Sequence, residues 1–312
     1  MSSNKKIKVR FSSVAYGSTA GPNHFGTKLR KYFDRLGYYS ENDPDVTLCF
    51  LNLVGAKTDT VVQRLDGIWF NPRQDYRSMN SSFKSVYDIS TGIIFQSCFD
   101  RDLVGSQFGT HNKSTIINNG ADLELISQIT PLESTFVDDA EKVWCCASHF
   151  AGRHHKRLYE NIRYFMEHSG EKDVLFVAGA VDTDNFSNNR IKYVGNIDVK
   201  TLLSIYKRAD YFIHLAKLDH CPNVVVDARG SGCQIICSSL GGTKEVAGLD
   251  AIVIEEDEWD FVPFDYNQPT KLDFSKKIQN TFDRDISMKH VAKKYYEFLV
   301  DCYANRQEEG KL

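Results

Sequence analysis

Residues 143–178, VWCCASHFAGRHHKRLYENIRYFMEHSGEKDVLFVA, hold two apolar runs separated by a helical segment. The runs Val143–Ala147 and Val174–Ala178 are short and rich in residues that favour strands, and the residues at 156–168 predict a helix. A strand, a helix and a second strand in this order predict two parallel strands of one sheet, with the helix packed on a face of that sheet.

The same alternation continues on both sides of this stretch. After it, strands are predicted at 191–194, 211–215, 234–238 and 251–255, and helices at 199–208, at 222–230 and from Thr243. Before it, strands are predicted at 7–14, 46–53, 61–65, 92–96 and 114–118. In the first half, Phe25, Leu29, Phe33 and Leu36 mark an amphipathic helix that Gly37 ends. Two such series predict an α/β protein with two doubly wound, Rossmann-like domains that face one another.

The length of 312 residues is about twice that of a usual domain. A polar stretch at 121–142 separates the two series, so we expect a first domain at 1–125 and a second at 126–285. The tail predicts one long helix, and we expect the segment 286–312 to pack back on the first domain. Because ligands of such sheets bind at the carboxyl ends of the strands, the cleft between the domains is the expected site.

The composition is that of an ordinary globular protein, with 42% hydrophobic and 25% charged residues. Its 38 Lys and Arg residues against 41 Asp and Glu residues give a net charge of -3, which does not favour nucleic acid as a partner. The eight cysteines include no CxxC pair and favour free thiols in a reducing compartment. No run is apolar enough for a signal peptide or a transmembrane segment, so we expect a cytoplasmic protein.

A glycine-containing turn, YGSTAGP at residues 16–22, follows the first predicted strand and precedes the first helix. Backbone N–H groups and the helix dipole at such a place suit an anion, so Gly17 and Gly21 are candidate neighbours of a phosphate. The spacing matches neither GxGxxG nor a Walker A loop, because the run from Gly21 reads GPNHFGTK. A flexible turn without a ligand is the alternative.

Five basic residues, RHHKR at 153–157, stand where a strand passes into a helix. Cations at a helix N-terminus oppose the helix dipole, so we expect an anion such as a diphosphate to neutralise them. A solvated basic turn is the alternative, and it accounts better for one such residue than for five.

The most informative segment is LDHCPNVVVDA at residues 218–228. Pro222 is favoured in the first turn of a helix, whose N–H groups at 221–224 would then point into the cleft. Asp227 follows along the same helix, where a carboxylate can accept hydrogen bonds from both hydroxyls of a ribose. A simple cap of this helix is the alternative role for Asp219.

Two patterns point weakly to metals. Asp182 and Asp184 form a DxD pattern, but their polar loop is more typical of a solvated turn. The histidine and three cysteines at 220–237 have a spacing that matches no common structural zinc site. We therefore expect neither a metal nor another cofactor.

Taken in order between residues 143 and 256, the runs VWCCASH, HKRL, YVG, LDHCPNVVVDA and SSLGGTKEV resemble the donor-binding half of retaining glycosyltransferases of the GT-B fold, family 4. NNGAD at 118–122 resembles the exit from the acceptor domain of that family, and VQRLDG at 62–67 resembles a strand end that faces its cleft. The resemblance implies transfer of a sugar from a nucleotide-diphosphate sugar to a hydroxyl acceptor, with retention and without a metal.

In that family two acidic residues with seven positions between them face the donor, the first near the transferred sugar and the second on the ribose. The matching pair here is Asp219 and Asp227, so both usual glutamates are aspartates. Lys156 matches the basic residue on the diphosphate, and Arg153 stands in for the partner arginine of the family. The resemblance thus implies catalytic roles for Asp219, Lys156 and Arg153. It implies donor contacts from Gly17, Gly21, Arg64, Asp66, Lys156, Cys221, Pro222, Asn223, Val224 and Asp227.

The implied partners are a nucleotide sugar and a glycan, lipid-linked or other hydroxyl acceptor, with peripheral contact to a membrane left open. No residue is assigned as a catalytic base. Two alternatives stay open. A nucleotide-sugar epimerase of the same fold would convert or hydrolyse the donor without an acceptor. A degenerate relative would bind nucleotide without turnover, as the two aspartates and the short first domain allow.

Overall fold

The computed structural model describes residues 6–18, 20–182, 186–268 and 270–309. The chain divides into two compact units. The first is formed by the described parts of Met1–Gly120 and Asp285–Leu312, and the second by those of Ala121–Arg284. Each unit has its own sheet, and nearly all strand pairs in both sheets are parallel. The predicted α/β class is confirmed.

The first unit has five described strands, β1 (Val9–Ser12), β2 (Val46–Phe50), β3 (Thr60–Leu65), β4 (Gly92–Phe95) and β5 (Ser114–Ile116). They pair in parallel in the order of the chain. The described helices of this unit are α1 (Gly21–Leu36), α2 (Tyr76–Ile89), α3 (Cys98–Phe108) and, from the end of the chain, α9 (Met288–Glu309).

Helix α9 is part of the core of the first unit. Its residues Tyr295 and Leu299 are fully buried in one apolar cluster with α1 and the sheet, and the Tyr295 ring lies 5.5 Å from that of Phe25. The helix approaches the sheet so closely that a Cβ atom on Gly92 would lie 2.5 Å from the sulfur of Cys302. A glycine at position 92 therefore permits the long C-terminal helix to pack here.

The second unit has seven described strands, β6 (Val143–Ala147), β7 (Val174–Ala178), β8 (Ile191–Gly195), β9 (Tyr211–His214), β10 (Gln234–Ser238), β11 (Ile252–Ile254) and β12 (Lys277–Gln279). Their order is β12, β11, β10, β9, β6, β7, β8, and β12 alone among them runs antiparallel. The described helices are α4 (Leu123–Ser127), α5 (Leu158–His168), α6 (Val199–Arg208), α7 (Asn223–Gly230) and α8 (Lys244–Ala247), with a 3-10 turn at His154–Lys156.

The predicted helix at 156–168 has a different beginning. A 3-10 turn ends at Lys156, Arg157 adopts the left-handed conformation with φ 52°, and the α-helix starts at Leu158. The contacts of Arg157 account for this break, because its guanidinium binds Glu256 and the carbonyl oxygen of Leu215, far away in the sequence. The tertiary contacts of Arg157 thus interrupt the continuous helix that the local pattern predicts from residue 156.

Candidate functional site

The order in which the chain adds strands to the sheet of the second unit reverses beside β6. From β6 the chain continues to β7 and β8 on one side, and later to β9, β10 and β11 on the other side. In open α/β sheets ligands bind at the carboxyl ends of the strands at such a switch point. The loops that follow β6 and β9 meet at this place, because the backbone N–H of Lys217 donates to the carbonyl of His155 at 2.8 Å.

Asp219 is the centre of the polar contacts at the switch point. Its Oδ2 atom lies 2.5 Å from the Lys156 ammonium and 2.9 Å from Nε2 of His214. Its other oxygen accepts the backbone N–H of His220 at 3.1 Å. The side chains of Asp219 and Lys156 are 15% and 16% exposed, whereas that of His214 is 3% exposed. The structure therefore brings together two residues with predicted catalytic roles and adds a buried histidine.

The charges of this cluster follow from its contacts. Burial by itself would raise the pKa of Asp219, but the Lys156 ammonium and the His214 ring hold it well below its usual range. Burial lowers the pKa of His214, so its ring is neutral at pH 7 and its Nε2–H donates to the carboxylate. Burial and the adjacent Lys156 charge lower the pKa of His155 to about 4. The cluster thus contains one carboxylate, one ammonium and two neutral rings.

A strained turn supports Asp219. Leu218 before it has a left-handed φ of 59°, and Gly241 opposite has φ 100°. The N–H of Gly242 donates to the carbonyl of Asp219 at 2.8 Å, and a Cβ atom on Gly241 would lie 2.8 Å from that same oxygen. A glycine at position 241 is therefore required for the close approach that fixes Asp219.

The alternative role of Asp219 as a helix cap is wrong. Helix α7 starts at Asn223, its capping residue is Pro222, and no side chain caps it. The carboxylate of Asp219 is occupied by Lys156, His214 and the next backbone N–H. Its carboxylate binds Lys156 and His214 at the switch point and does not cap the helix.

The five basic residues at 153–157 differ in their surroundings. Arg157 is buried and forms two hydrogen bonds with Glu256, at 2.8 and 2.6 Å. Lys156 is paired with Asp219, and His155 binds Asn267 at 3.0 Å. The protein itself thus supplies carboxylates to two of the five residues, Lys156 and Arg157. A diphosphate beside this group stays a prediction.

Arg153 remains available for a ligand. Its side chain is exposed, and within the described part of the chain it forms no hydrogen bond or ion pair. His154 beside it is exposed as well. An exposed guanidinium next to the switch point is consistent with the predicted contact to an anion.

The predicted donor contacts around helix α7 lie just before the helix and on its first two turns. Cys221 and Pro222 directly precede the helix, and both are buried. Asp227 is 8% exposed, and its charge is one of the causes, after burial, that raise the pKa of the Tyr206 phenol. The residues at 221–224 and Asp227 stay predicted donor contacts.

Four predicted donor residues lie in the first unit. Gly17, with φ 85°, stands in the turn after β1, and Gly21 begins α1. Arg64 is fully buried, and its guanidinium binds Asp66, Asn119 at 2.7 Å and the Tyr295 hydroxyl at 2.9 Å.

The prediction that Arg64 contacts the donor is corrected by these partners, since its side chain links β3 to α9 inside the first unit. Sequence reasoning cannot detect such a role, because Tyr295 lies 231 positions away. Gly17, Gly21 and Asp66 stay predictions.

The structure also bears on metals and membranes. Among the described residues, no three or more His, Cys, Asp or Glu side chains are grouped so that they could hold a metal ion. Asp182 accepts the N–H of Gly152, and Thr183 and Asp184 lie outside the described residues. None of the described helices is long and apolar enough to cross a membrane.

Sequence reasoning missed two residues of the site, His214 and Glu256. Both lie at or just beyond the carboxyl end of a strand, β9 and β11 respectively. A single histidine at the end of an apolar strand and one glutamate in an acidic run give no signal by themselves. Their position at the carboxyl edge of the sheet is the feature that identifies them.

The chain resembles solved glycosyltransferases in structure. No protein-family model matches it, and no curated protein is detectably similar to it in sequence. HepE of Anabaena, solved in complex with UDP and glucose, has a TM-score of 0.64 and 12% identity, over 95% of this chain and 100% of HepE. A glycosyltransferase from Rickettsia africae has a TM-score of 0.62 and 14% identity, over 96% of this chain and 99% of that protein.

A third similar structure, sucrose-phosphate synthase from Thermosynechococcus elongatus, has a TM-score of 0.58 and 12% identity, over 91% of this chain and 78% of that protein. At these identities the comparison shows the fold. The protein has the GT-B fold, as its sequence patterns predict.

Proposed function

We propose that this protein is a glycosyltransferase that moves a sugar from a nucleotide-diphosphate sugar to a hydroxyl acceptor. One observation carries the proposal. The switch point of the second unit brings Lys156 and Asp219 into contact, in a fold that the chain shares with glycosyltransferases over more than nine-tenths of its length. The solved structure of HepE with UDP and glucose supports a nucleotide sugar as the donor.

The leaving diphosphate must be stabilised as the glycosidic bond breaks, and cations held near it can do so. Lys156 and the exposed Arg153 are the proposed cations, and the N-terminus of α7 adds its dipole. The Lys156 ammonium lies 2.5 Å from the Asp219 carboxylate. Because its flexible side chain is partly exposed, it can turn to a phosphate oxygen while Asp219 keeps its other two partners.

Asp219 is proposed to lie near the transferred sugar. A carboxylate at this place can stabilise positive charge that develops on the sugar ring. Asp227 is proposed to bind the ribose. Transfer with retention, as in family 4, and without a divalent metal completes the proposal, and the first unit is proposed to bind the acceptor.

The proposal is tested by incubating the protein with UDP-, GDP-, ADP- and dTDP-sugars, with and without simple glycoside acceptors, in the presence of EDTA. We expect release of one nucleoside diphosphate that depends on both an acceptor and Lys156. Release that requires added manganese would refute the metal-independent part of the proposal.

Two other outcomes would refute transferase activity. Conversion of the donor without any acceptor would indicate an epimerase, which the solved transferase and synthase structures do not favour. Nucleotide binding without turnover of any donor would indicate a binding-only relative.

A further inference from the structure

His214 has a fixed position at the switch point. It is the last residue of β9, pairs with Cys237 of β10 in the sheet, and is 3% exposed. Its ring lies nearly parallel to that of Phe212, with a centroid distance of 6.3 Å and an interplanar angle of 12°. The strand and this stacking contact hold the ring in one place, so its Nε2 atom stays directed at Asp219, 2.9 Å away.

Among the described residues, the Asp219 carboxylate has two other hydrogen-bond partners, Lys156 and the backbone of His220. The ammonium of Lys156 is carried by a long side chain on the 3-10 turn, and the proposed reaction draws it toward the diphosphate. The N–H of His220 binds the other carboxylate oxygen. His155 and Arg153 lie near this cluster too, as do Lys217, His220 and Cys221 of the loop that carries Asp219. Within the described part of the chain, the side chains of His155 and Arg153 do not hydrogen-bond to Asp219.

We infer that His214 is a positioning residue, which holds the Asp219 carboxylate in its catalytic orientation when Lys156 moves to the donor diphosphate. The inference rests on the proposed function for the role of Asp219 in turnover. The contact between His214 and Asp219 is independent of that function. A neutral ring suits this task, because it donates one hydrogen bond without adding a second cation that would compete for the diphosphate.

Two substitutions separate the hydrogen bond from the packing. His214→Gln keeps an amide N–H at a similar distance from the backbone, so it can still donate to Asp219. His214→Phe keeps the aromatic ring beside Phe212 and removes the donor. His168→Gln is the control, because this exposed histidine of α5 contacts Tyr164 and not Asp219. Thermal unfolding of each variant verifies that it is folded.

The first measurement is the titration of Asp219 in protein labelled with carbon-13 at its aspartate carboxyl groups, with Asp219→Asn for the assignment. Loss of one charge-assisted hydrogen bond in His214→Phe is expected to raise the titration midpoint of Asp219 by about one pH unit. The midpoint in His214→Gln and His168→Gln is expected to stay near that of the wild type. An unchanged midpoint in a folded His214→Phe protein would overturn the inference. If His214→Phe does not fold, His214→Gln decides. A titration midpoint of Asp219 raised by about one pH unit in folded His214→Gln would overturn the inference, and a midpoint near that of the wild type would support it.

The second measurement is turnover of UDP-glucose, followed as release of UDP. His214→Phe is expected to lower kcat about tenfold or more with little change in KM, and His214→Gln is expected to recover most of the loss. Equal losses in both variants would overturn the positioning role. If the wild type turns over no nucleotide sugar, the proposed function fails, and the titration of Asp219 still decides whether His214 holds the carboxylate.

Discussion

Replacing Lys156 by alanine is expected to weaken binding of UDP and to leave binding of uridine unchanged. The ammonium is proposed to contact phosphate and not the nucleoside, so only the ligand that carries a diphosphate loses a partner. One charge-assisted hydrogen bond contributes about 1.5 to 3 kcal/mol, which corresponds to a loss of affinity of roughly tenfold to a hundredfold. Isothermal titration calorimetry with both ligands measures the difference.

The expected loss of affinity has two parts. In the wild type the ammonium also neutralises Asp219, at 2.5 Å. In Lys156→Ala the carboxylate keeps the hydrogen bonds from His214 and the backbone of His220, but its charge then repels a diphosphate more strongly. The double variant Lys156→Ala, Asp219→Asn removes that repulsion. It is therefore expected to bind UDP more tightly than Lys156→Ala alone and more weakly than Asp219→Asn alone.

A matched control is available in the same unit. Lys142 forms an ion pair with Asp210 at 3.0 Å on the surface, and Lys142→Ala removes the same charge from a place with no proposed ligand. This control is expected to bind UDP as the wild type does. If Lys156→Ala weakens UDP and uridine equally, or if Lys142→Ala weakens UDP as much, Lys156 does not bind the diphosphate.

Three further predictions concern the ribose contact, a buried ion pair and a neutral histidine. Asp227→Ala is expected to weaken UDP binding by about 1.5 to 3 kcal/mol and to leave the binding of 2′,3′-dideoxy-UDP unaffected, whereas Asp227→Glu is expected to bind UDP nearly as the wild type does. Equal effects of Asp227→Ala on both nucleotides in calorimetry would exclude the ribose contact. Glu256→Gln is expected to lower the free energy of unfolding, measured in urea, by about 3 kcal/mol, because it leaves the buried Arg157 without its counter-charge. A loss below about 1 kcal/mol would show that the ion pair adds little to stability. The pKa of His155 is about 4 in the folded protein, below its unfolded value of about 6.5, so the unfolded state binds more protons between these pH values. Stability therefore decreases as the pH is lowered through this window. His155→Gln is therefore expected to lose less stability than the wild type between pH 6.5 and pH 5, by an amount on the order of 1 kcal/mol, and parallel losses in urea unfolding would contradict this.

The alternation of strands and helices is the part of the fold that local patterns predict well. The apolar runs that become β6, β7, β9 and β10 are short, rich in β-branched and aromatic residues, and separated by clear helical segments. Helices α2 and α3 were not predicted. The described part of α2 buries only Asn80, Val86 and Tyr87, so its apolar stripe is thin, and α3 contains Gly105 in its interior. A weak local pattern becomes a helix there because the sheet supplies the packing.

The sequence indicates candidate residues of the site but not the contacts between them. Family resemblance singled out Lys156 and Asp219, but 63 positions separate them, and nothing local indicates that they form an ion pair. The basic run at 153–157 likewise does not reveal that Glu256, 99 positions from Arg157, pairs with that arginine. Only the register of the parallel strands brings such distant residues to the same edge.

The same reasoning explains the error at Arg64. The sequence around it resembles a strand end that faces a ligand, yet residues 62–65 are fully buried and the guanidinium is held by Tyr295 and Asn119. A buried network that includes the C-terminal helix overrides that expectation here.

The proposed diphosphate site at the switch point is tested most directly by a crystal structure of the protein with UDP bound. The account predicts a phosphate oxygen at about 3 Å from the Lys156 ammonium, with that ammonium turned away from Asp219 and the Asp219 carboxylate still bound to His214. UDP bound elsewhere, or bound at the switch point while Lys156 remains on Asp219 and contacts no phosphate, would contradict it.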